Sequence, residues 1–194
     1  MNTTTHPPLI VQIPPGDLGA LHSLAAMRAA ADRLAARPET RALAARIHDE
    51  AGRKWSSLDT LFWWIKEHYR FAPDPARAET LHNHAAQLRG LIDYPHAPAL
   101  GDCDDRAVFT AALCQVIGYR TRFVCVSSDA RRPFHHVYAA AVELTQRLCA
   151  MDSQVCAAAG IEPPGIVRRY TEGETIRPAD LLDENGNPYQ EASQ

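Results

Sequence analysis

A cysteine at position 103 stands in a sequence context that favours a nucleophile. The stretch Gly-Asp-Cys-Asp-Asp-Arg at residues 101–106 follows a proline-rich approach, and apolar residues then recur at helical spacing until Gly118. We therefore expect a helix that begins at or near Cys103 and stops at Gly118. The N–H groups and positive dipole end of a helix start favour thiolate over thiol. The flanking carboxylates oppose a second negative charge, so a thiolate here would need a cation as its partner.

Two downstream segments supply a candidate base and a candidate acid. Phe-His-His-Val-Tyr at residues 134–138 opens a run of β-prone residues, and a shorter apolar run ends in Met-Asp at residues 151–152. A thiol at a helix start, a histidine on a strand and an acid at the end of the next strand follow the Cys-His-Asp arrangement. In that arrangement the base activates the sulfur and the acid orients the base.

These segments resemble the transglutaminase-like superfamily of cysteine enzymes, in its compact Gly-Asp-Cys-Asp-Asp form seen in bacteria, phages and prophages. The likeness rests on GDCDDRAVFTAALCQVIGYRTRFVCV, HHVYAAAVE and the later strand end in MD, together with Arg-Phe-Ala-Pro-Asp-Pro at residues 70–75. It spans about residues 55–165. The resemblance implies that Cys103 is the nucleophile, His136 the base and Asp152 the acid that orients the base.

The resemblance also implies a reaction. A cysteine peptidase, an amidase or a transglutaminase-like acyltransferase would cleave an amide of a protein or peptide substrate through a thioester on Cys103. Whether water or an amine accepts the acyl group stays open. The Cys103 backbone N–H is expected to be one oxyanion donor. The second donor is unassigned, with Tyr94, Asn83 and Gln87 as candidates.

The acidic residues around Cys103 allow other interpretations. Asp102, Asp104 and Asp105 could form a divalent-ion cluster or an Asp-x-Asp phosphotransfer motif. The phosphotransfer motif requires a hydrophobic strand directly before it, and the preceding residues are not one. Capping of the helix, with an ion pair between one of the carboxylates and Arg106 or another base, is the preferred interpretation.

A metal centre is not expected from the remaining candidate ligands. A zinc site made from Cys103, His136 and Cys149 has no supporting local spacing. His82 and His84 are two residues apart, which places them on different faces of a helix, and we expect both at the surface. The sequence predicts no cofactor and no metal.

Length and composition indicate one domain with appendages. The chain has 194 residues, of which 46% are hydrophobic and 22% charged, enough for a substantial core. We expect an extended arm over residues 1–15, a helical hairpin over 16–53, a catalytic core over 54–165 and a flexible or partner-bound tail over 166–194. The expected fold class is α+β, and the resemblance implies a papain-like core in which the helix that carries Cys103 packs on an antiparallel sheet.

The elements that must position the candidate residues can also be read from the pattern. Strands are predicted over residues 119–126, 134–144 and 146–152, as a meander after the Cys103 helix. Alternation along the second strand places Val137, Ala139 and Ala141 on one face, and makes His135 and His136 point in opposite directions. Only one of the two histidines can then face Cys103.

Charge and cysteine usage exclude several classes of function. The formal net charge is −3, so no basic excess suggests binding to nucleic acid or to an anionic membrane. No apolar run is long enough for a membrane span, and the first residues lack a secretory signal pattern. Five cysteines without a Cys-x-x-Cys pair fit a reducing compartment. We expect the cytoplasm of a bacterial or phage-infected cell, with the virion as the alternative location.

A second class of function fits the same sequence. The arm, the helical hairpin and the tail are features with which a virion or assembly protein could dock on its partners. In that alternative the chain is a phage or prophage component that uses the transglutaminase-like fold structurally.

Overall fold

The computed structural model describes residues 13–52, 57–74 and 81–189. Within these ranges the chain is α+β, with five α-helices and six β-strands. The helices are α1 (Gly16–Ala35), α2 (Pro38–Ala51), α3 (Ser57–His68), α4 (His84–Asp93) and α5 (Cys103–Val116). The strands are β1 (Tyr69–Phe71), β2 (Ala99–Gly101), β3 (Arg120–Ser127), β4 (His136–Val142), β5 (Leu148–Ala150) and β6 (Arg168–Thr171). The predicted arm lies almost entirely in residues 1–12, outside the described residues.

Four of the strands form one antiparallel sheet in the order β5-β4-β3-β6. The β3–β4 pairing runs from Arg120 opposite Val142 to Val126 opposite His136. The three-strand meander predicted after the Cys103 helix is thus confirmed. The short strands β1 and β2 pair in parallel, and they bring the end of α3 next to the residues that enter α5.

The fourth strand of the sheet, β6, comes from the segment expected to be a tail. It pairs with β3, with Thr171 opposite Val124 and Arg168 opposite Ser127. Residues 166–194 were expected to be a flexible or partner-bound tail, and at this stretch they contribute a strand to the sheet. Its sequence has no alternation of apolar and polar residues, so the strand forms because β3 offers an edge for pairing. Beyond β6, the Leu182 oxygen accepts a hydrogen bond from the Asp17 N–H at 2.9 Å.

The two helices of the predicted hairpin are present, and they pack on this domain. Pro38 occupies the first turn of α2, where a missing N–H costs no helical hydrogen bond. Leu24 and Met27 of α1 belong to the same buried cluster as Ala107 and Phe123. The hairpin therefore buries its apolar side against α5 and the sheet.

Helix α5 is the centre of the molecule. Every residue from 104 to 114 is buried, between the other helices on one side and the sheet on the other. Val137 and Ala139 of β4 pack in the cluster that contains α5, whereas Tyr138 and Ala140 pack in a separate cluster on the opposite face. The predicted alternation along β4 is confirmed at these positions.

In the part of the chain that the structure describes, no helix has both the length and the apolar character that a bilayer crossing requires.

Candidate active site

Cys103 is the first residue of α5, directly after the N-cap residue Asp102. It is partly exposed and packs at the edge of the cluster formed by α1, α5 and the sheet. The other four cysteines are buried, and none of the five, all within the described residues, forms a disulfide. Burial raises the pKa of Cys114 and of Cys125 to about 12 and that of Cys156 to about 11. Position and exposure thus single out Cys103 as the accessible thiol.

His136 and Asp152 form a direct pair. The His136 Nε2 lies 2.6 Å from Asp152 Oδ2. The Asp152 side chain is 2% exposed, and its Oδ1 accepts hydrogen bonds from the Gln154 N–H at 3.1 Å and the Val155 N–H at 3.2 Å. All three partners of the carboxylate act as donors, which suits an ionised acceptor. With Nε2–H donated to Asp152, Nδ1 is the basic nitrogen of the imidazole.

The loop that leads to His136 is held by a buried carboxylate at the start of α1. Asp17 is fully buried, and its Oδ1 accepts a hydrogen bond from the Phe134 N–H at 2.7 Å. Its Oδ2 accepts from the Leu182 N–H at 2.7 Å and from Arg168 Nη2 at 2.5 Å. Asp17 thus joins the start of α1 to the C-terminal region and to the loop before β4, at a point two residues before His136.

Cys103 and Asp152 line the same narrow cleft. Its walls come from α5, β4 and the turn after β5, and its volume is about 10 Å³, close to that of one water-sized probe. The lining residues are Cys103, Arg106, Ala107, Thr110, Val137, Tyr138, Ala139, Met151, Asp152, Ser153 and Gln154. Ser153 Oγ and Gln154 Oε1 are buried without a hydrogen-bond partner among the described residues.

Gly101, which precedes the Asp-Cys pair, lies where the chain has no room for a side chain. A Cβ at this position would approach Asp105 Oδ2 to 2.6 Å and the Tyr69 hydroxyl to 2.7 Å. Glycine at this position therefore allows the chain to pass from β2 into α5 in close contact with Tyr69 and Asp105.

The carboxylates around Cys103 are partly neutralised. One oxygen of each of Asp102, Asp104 and Asp105 lies within 4.8 Å of the others. Burial raises the pKa of Asp104 to about 10, and a hydrogen bond to Asp102 and the charges of both neighbours act in the same direction. Asp104 is therefore a neutral acid at pH 7. This proximity alone does not define a metal site.

Asp105 is contacted by two histidines; His82 is exposed, as expected, whereas the expectation of a surface position is wrong for His84. His82 contacts it twice, through its ring Nδ1 and through its backbone N–H at 2.8 Å from Oδ1. His84 is 7% exposed, with Nε2 at 3.2 Å from Asp105 Oδ1. Residues 81–83 are not helical, so the argument from helix faces did not apply.

The preferred interpretation of the acidic residues holds in one part, because Asp105 contacts two histidine bases, and is wrong for capping by Asp102 and for a pair with Arg106. Asp102 occupies the N-cap position, but its side chain makes no capping hydrogen bond. Among the described residues, Arg106 forms no ion pair with Asp102, Asp104 or Asp105; its Nη2 donates to the Tyr69 backbone oxygen at 3.1 Å. The sequence did not predict that the Arg106 side chain turns towards Tyr69. Arg106 lies three residues after Cys103, however, and this spacing places the two side chains on one face of a helix.

The candidates for a second oxyanion donor lie elsewhere. Asn83, Gln87 and Tyr94 line a groove of about 460 Å³ between α4 and β2. Asn83 caps α4 by accepting from the Ala86 N–H, and Gln87 Nε2 donates to the Leu100 oxygen at 2.7 Å. None of the three lines the Cys103 cleft, so the structure does not bring them together with the thiol.

No protein-family model matches this chain, and no curated protein gives a significant match to it.

Proposed function

We propose that the protein is a cysteine-dependent acyl transferase or hydrolase that acts on amide bonds of proteins or peptides. Cys103 is the nucleophile, His136 the general base and acid, and Asp152 the residue that orients the imidazole. In this proposal the core is a papain-like, transglutaminase-like arrangement, with α5 as the nucleophile helix and the antiparallel sheet as its support.

The observation that carries the proposal is the contact between His136 and Asp152 beside the Cys103 cleft. A buried carboxylate at 2.6 Å holds the Nε2–H of the imidazole, while the same carboxylate lines a cleft with the thiol. This is the relation that a base and its orienting acid need. Cys103 at the first position of a long helix adds the helix dipole, which favours a thiolate.

The reaction follows from these roles. His136 Nδ1 takes the thiol proton, and the Cys103 sulfur attacks the amide carbonyl to form a tetrahedral intermediate. The C–N bond then breaks, His136 returns the proton to the leaving amine, and a thioester remains on Cys103. Water or a second amine attacks the thioester, giving up its proton to Nδ1, and the thiol is regenerated. Both acceptors use the same intermediate.

The test is turnover of amide substrates by matched variants. A panel of peptide anilides and glutamine-containing peptides is assayed with wild type, Cys103→Ala and Cys149→Ala. Cys149 is a buried cysteine of β5 outside the cleft, so its variant controls for loss of a thiol. We expect turnover in wild type and Cys149→Ala and none in Cys103→Ala. Equal turnover in all three proteins would show that Cys103 is not the nucleophile.

The narrowness of the cleft favours a second candidate function. A cleft of about 10 Å³ does not enclose a peptide, so a substrate would lie across its mouth. A virion or assembly protein that keeps the fold for structural purposes needs no substrate-binding cleft. Absence of turnover over the panel, together with slow alkylation of Cys103, would support this alternative.

A further inference from the structure

Arg106 is a buried cation in the same cleft as Cys103 and Asp152. It is 7% exposed and lies three residues after Cys103 on α5. Residues at this spacing share a helix face, and a long side chain on a helix covers the turn that precedes its own Cα. The Arg106 side chain therefore lies along the turn that begins with Cys103, and both residues line the cleft.

Among the residues that the structure describes, Arg106 has no carboxylate partner. Its Nη2 donates to the Tyr69 backbone oxygen at 3.1 Å, and its guanidinium lies 5.2 Å from the centre of the Tyr69 ring. Its Nε is buried without a hydrogen-bond partner among the described residues. Within the same residues it takes part in no ion pair. A buried guanidinium in such surroundings is costly unless negative charge nearby offsets its desolvation.

Two of the groups that act on the charge of Arg106 belong to the candidate site. Burial lowers the pKa of Arg106; Tyr69, Asp152 and Cys103 act in the opposite direction, and Arg70 acts with burial. An arginine stays protonated in a protein at neutral pH, so the guanidinium remains a fixed positive charge. Asp152 and the Cys103 thiolate are thus the anions that this cation can stabilise.

We propose that Arg106 is a positioning residue that supplies the fixed positive charge of the Cys103 cleft, favouring the thiolate of Cys103 and the anionic form of Asp152. This inference rests on the proposed function, in which both anions take part in the reaction. Arg106 acts through electrostatics on these two residues.

Several other groups determine the charge that Cys103 experiences. They belong to α5, β1, β3, β4, the turn after β5, α4 and the segment before it: Asp102, Asp104, Asp105, Tyr69, Arg70, Cys125, His136, Asp152, His82 and His84. Asp104 and Cys125 are neutral at pH 7, because their pKa values are raised to about 10 and about 12. Asp105 lies against two histidines. Arg106, which lines the cleft, is therefore a fixed cation placed to offset Asp152 and a thiolate there.

The test is the pH dependence of Cys103 alkylation, which needs no substrate. Rates of iodoacetamide modification at Cys103 are measured by peptide mapping from pH 5 to 10 for wild type, Arg106→Met, Arg106→Gln and Arg106→Lys. For the two neutral variants, we expect the pH midpoint of Cys103 alkylation to rise by about one unit. At pH values below the midpoint, this shift lowers the alkylation rate about tenfold. The lysine variant keeps the charge and should titrate close to wild type. Arg46→Met on α2 controls for net charge, and its profile should be unchanged.

The outcomes separate this inference from the proposed function. Unshifted midpoints in folded Arg106→Met and Arg106→Gln would overturn the role of Arg106, whatever the protein does to amides. The same holds if both neutral variants fail to fold while Arg106→Lys does, since the side chain would then be needed for structure alone. If wild type turns over no amide but the midpoints shift as expected, the proposed function fails and the electrostatic role of Arg106 stands.

Discussion

Replacement of Asp152 by asparagine tests how the candidate base is oriented. In the wild type, Asp152 Oδ2 accepts the Nε2–H of His136 at 2.6 Å, and Oδ1 accepts two backbone N–H groups. The asparagine oxygen can keep the backbone hydrogen bonds, which leaves its NH₂ group facing Nε2. That donor stabilises the tautomer with the proton on Nδ1, and Nδ1 then cannot take the thiol proton. We expect amide turnover to fall by about 10⁴-fold, as for an equivalent change in a serine-based triad.

The same substitution should weaken the pair of thiolate and imidazolium. A hydrogen bond to a charged group contributes about 1.5–3 kcal/mol. Because one pKa unit corresponds to about 1.4 kcal/mol, loss of the carboxylate should raise the alkylation midpoint of Cys103 by about one to two pH units. The direction follows because less positive charge is held near the sulfur at any given pH.

The assay is the rate of iodoacetamide modification against pH for wild type, Asp152→Asn and Asp180→Asn. Asp180 is an exposed carboxylate paired with Arg177 away from the cleft, so its variant should match wild type. A profile for Asp152→Asn that coincides with wild type, in a protein with intact circular dichroism, would refute the assignment of Asp152 as the orienting acid.

Three further predictions concern the surroundings of the thiol. In limited iodoacetamide treatment at pH 7, Cys103 should be modified before the four buried cysteines; earlier labelling of any of those would contradict the exposure argument. His136→Ala should abolish fast alkylation, whereas His135→Ala, at an exposed position, should reduce it less than twofold; equal losses would remove the assignment of the base. In Asp104→Asn, the free energy of unfolding, measured in urea from pH 5 to 9, should fall less steeply with pH than in wild type. The pKa of Asp104 is raised in the folded state, so its contribution to stability is complete below about pH 4 and is lost as the pH rises towards about 10. This loss amounts to no more than about 1.4 kcal/mol per pH unit. Identical slopes in the two proteins would contradict it.

Much of the local structure could be predicted from sequence because it depends on local patterns. The start of α5 at Cys103 and its end before Gly118, which has a φ of +98°, follow from helical spacing and a glycine stop. The hairpin of β3 and β4 follows from two β-prone runs around a polar turn. The contact between His136 and Asp152 follows from placing two such strands side by side.

The remaining features depend on contacts between distant parts of the chain. The strand β6 has no alternation of its own and exists through its pairing with β3. The side chain of Arg106 could be paired with a neighbouring carboxylate on sequence grounds, but it turns towards Tyr69, which is distant in sequence. His82 and His84 reach Asp105 because the segment before α4 is not helical. Local periodicity contains no information on these three arrangements.

The central claim is that an acyl group passes through Cys103, and trapping that intermediate tests it most directly. The protein is mixed with an excess of an activated peptide ester, quenched in acid within seconds, and mapped by mass spectrometry. We predict an acyl group on the peptide that contains Cys103 in wild type, and none at this position in Cys103→Ala. Absence of acylation in wild type, or an acyl group on another residue at the same rate in both proteins, would contradict the account.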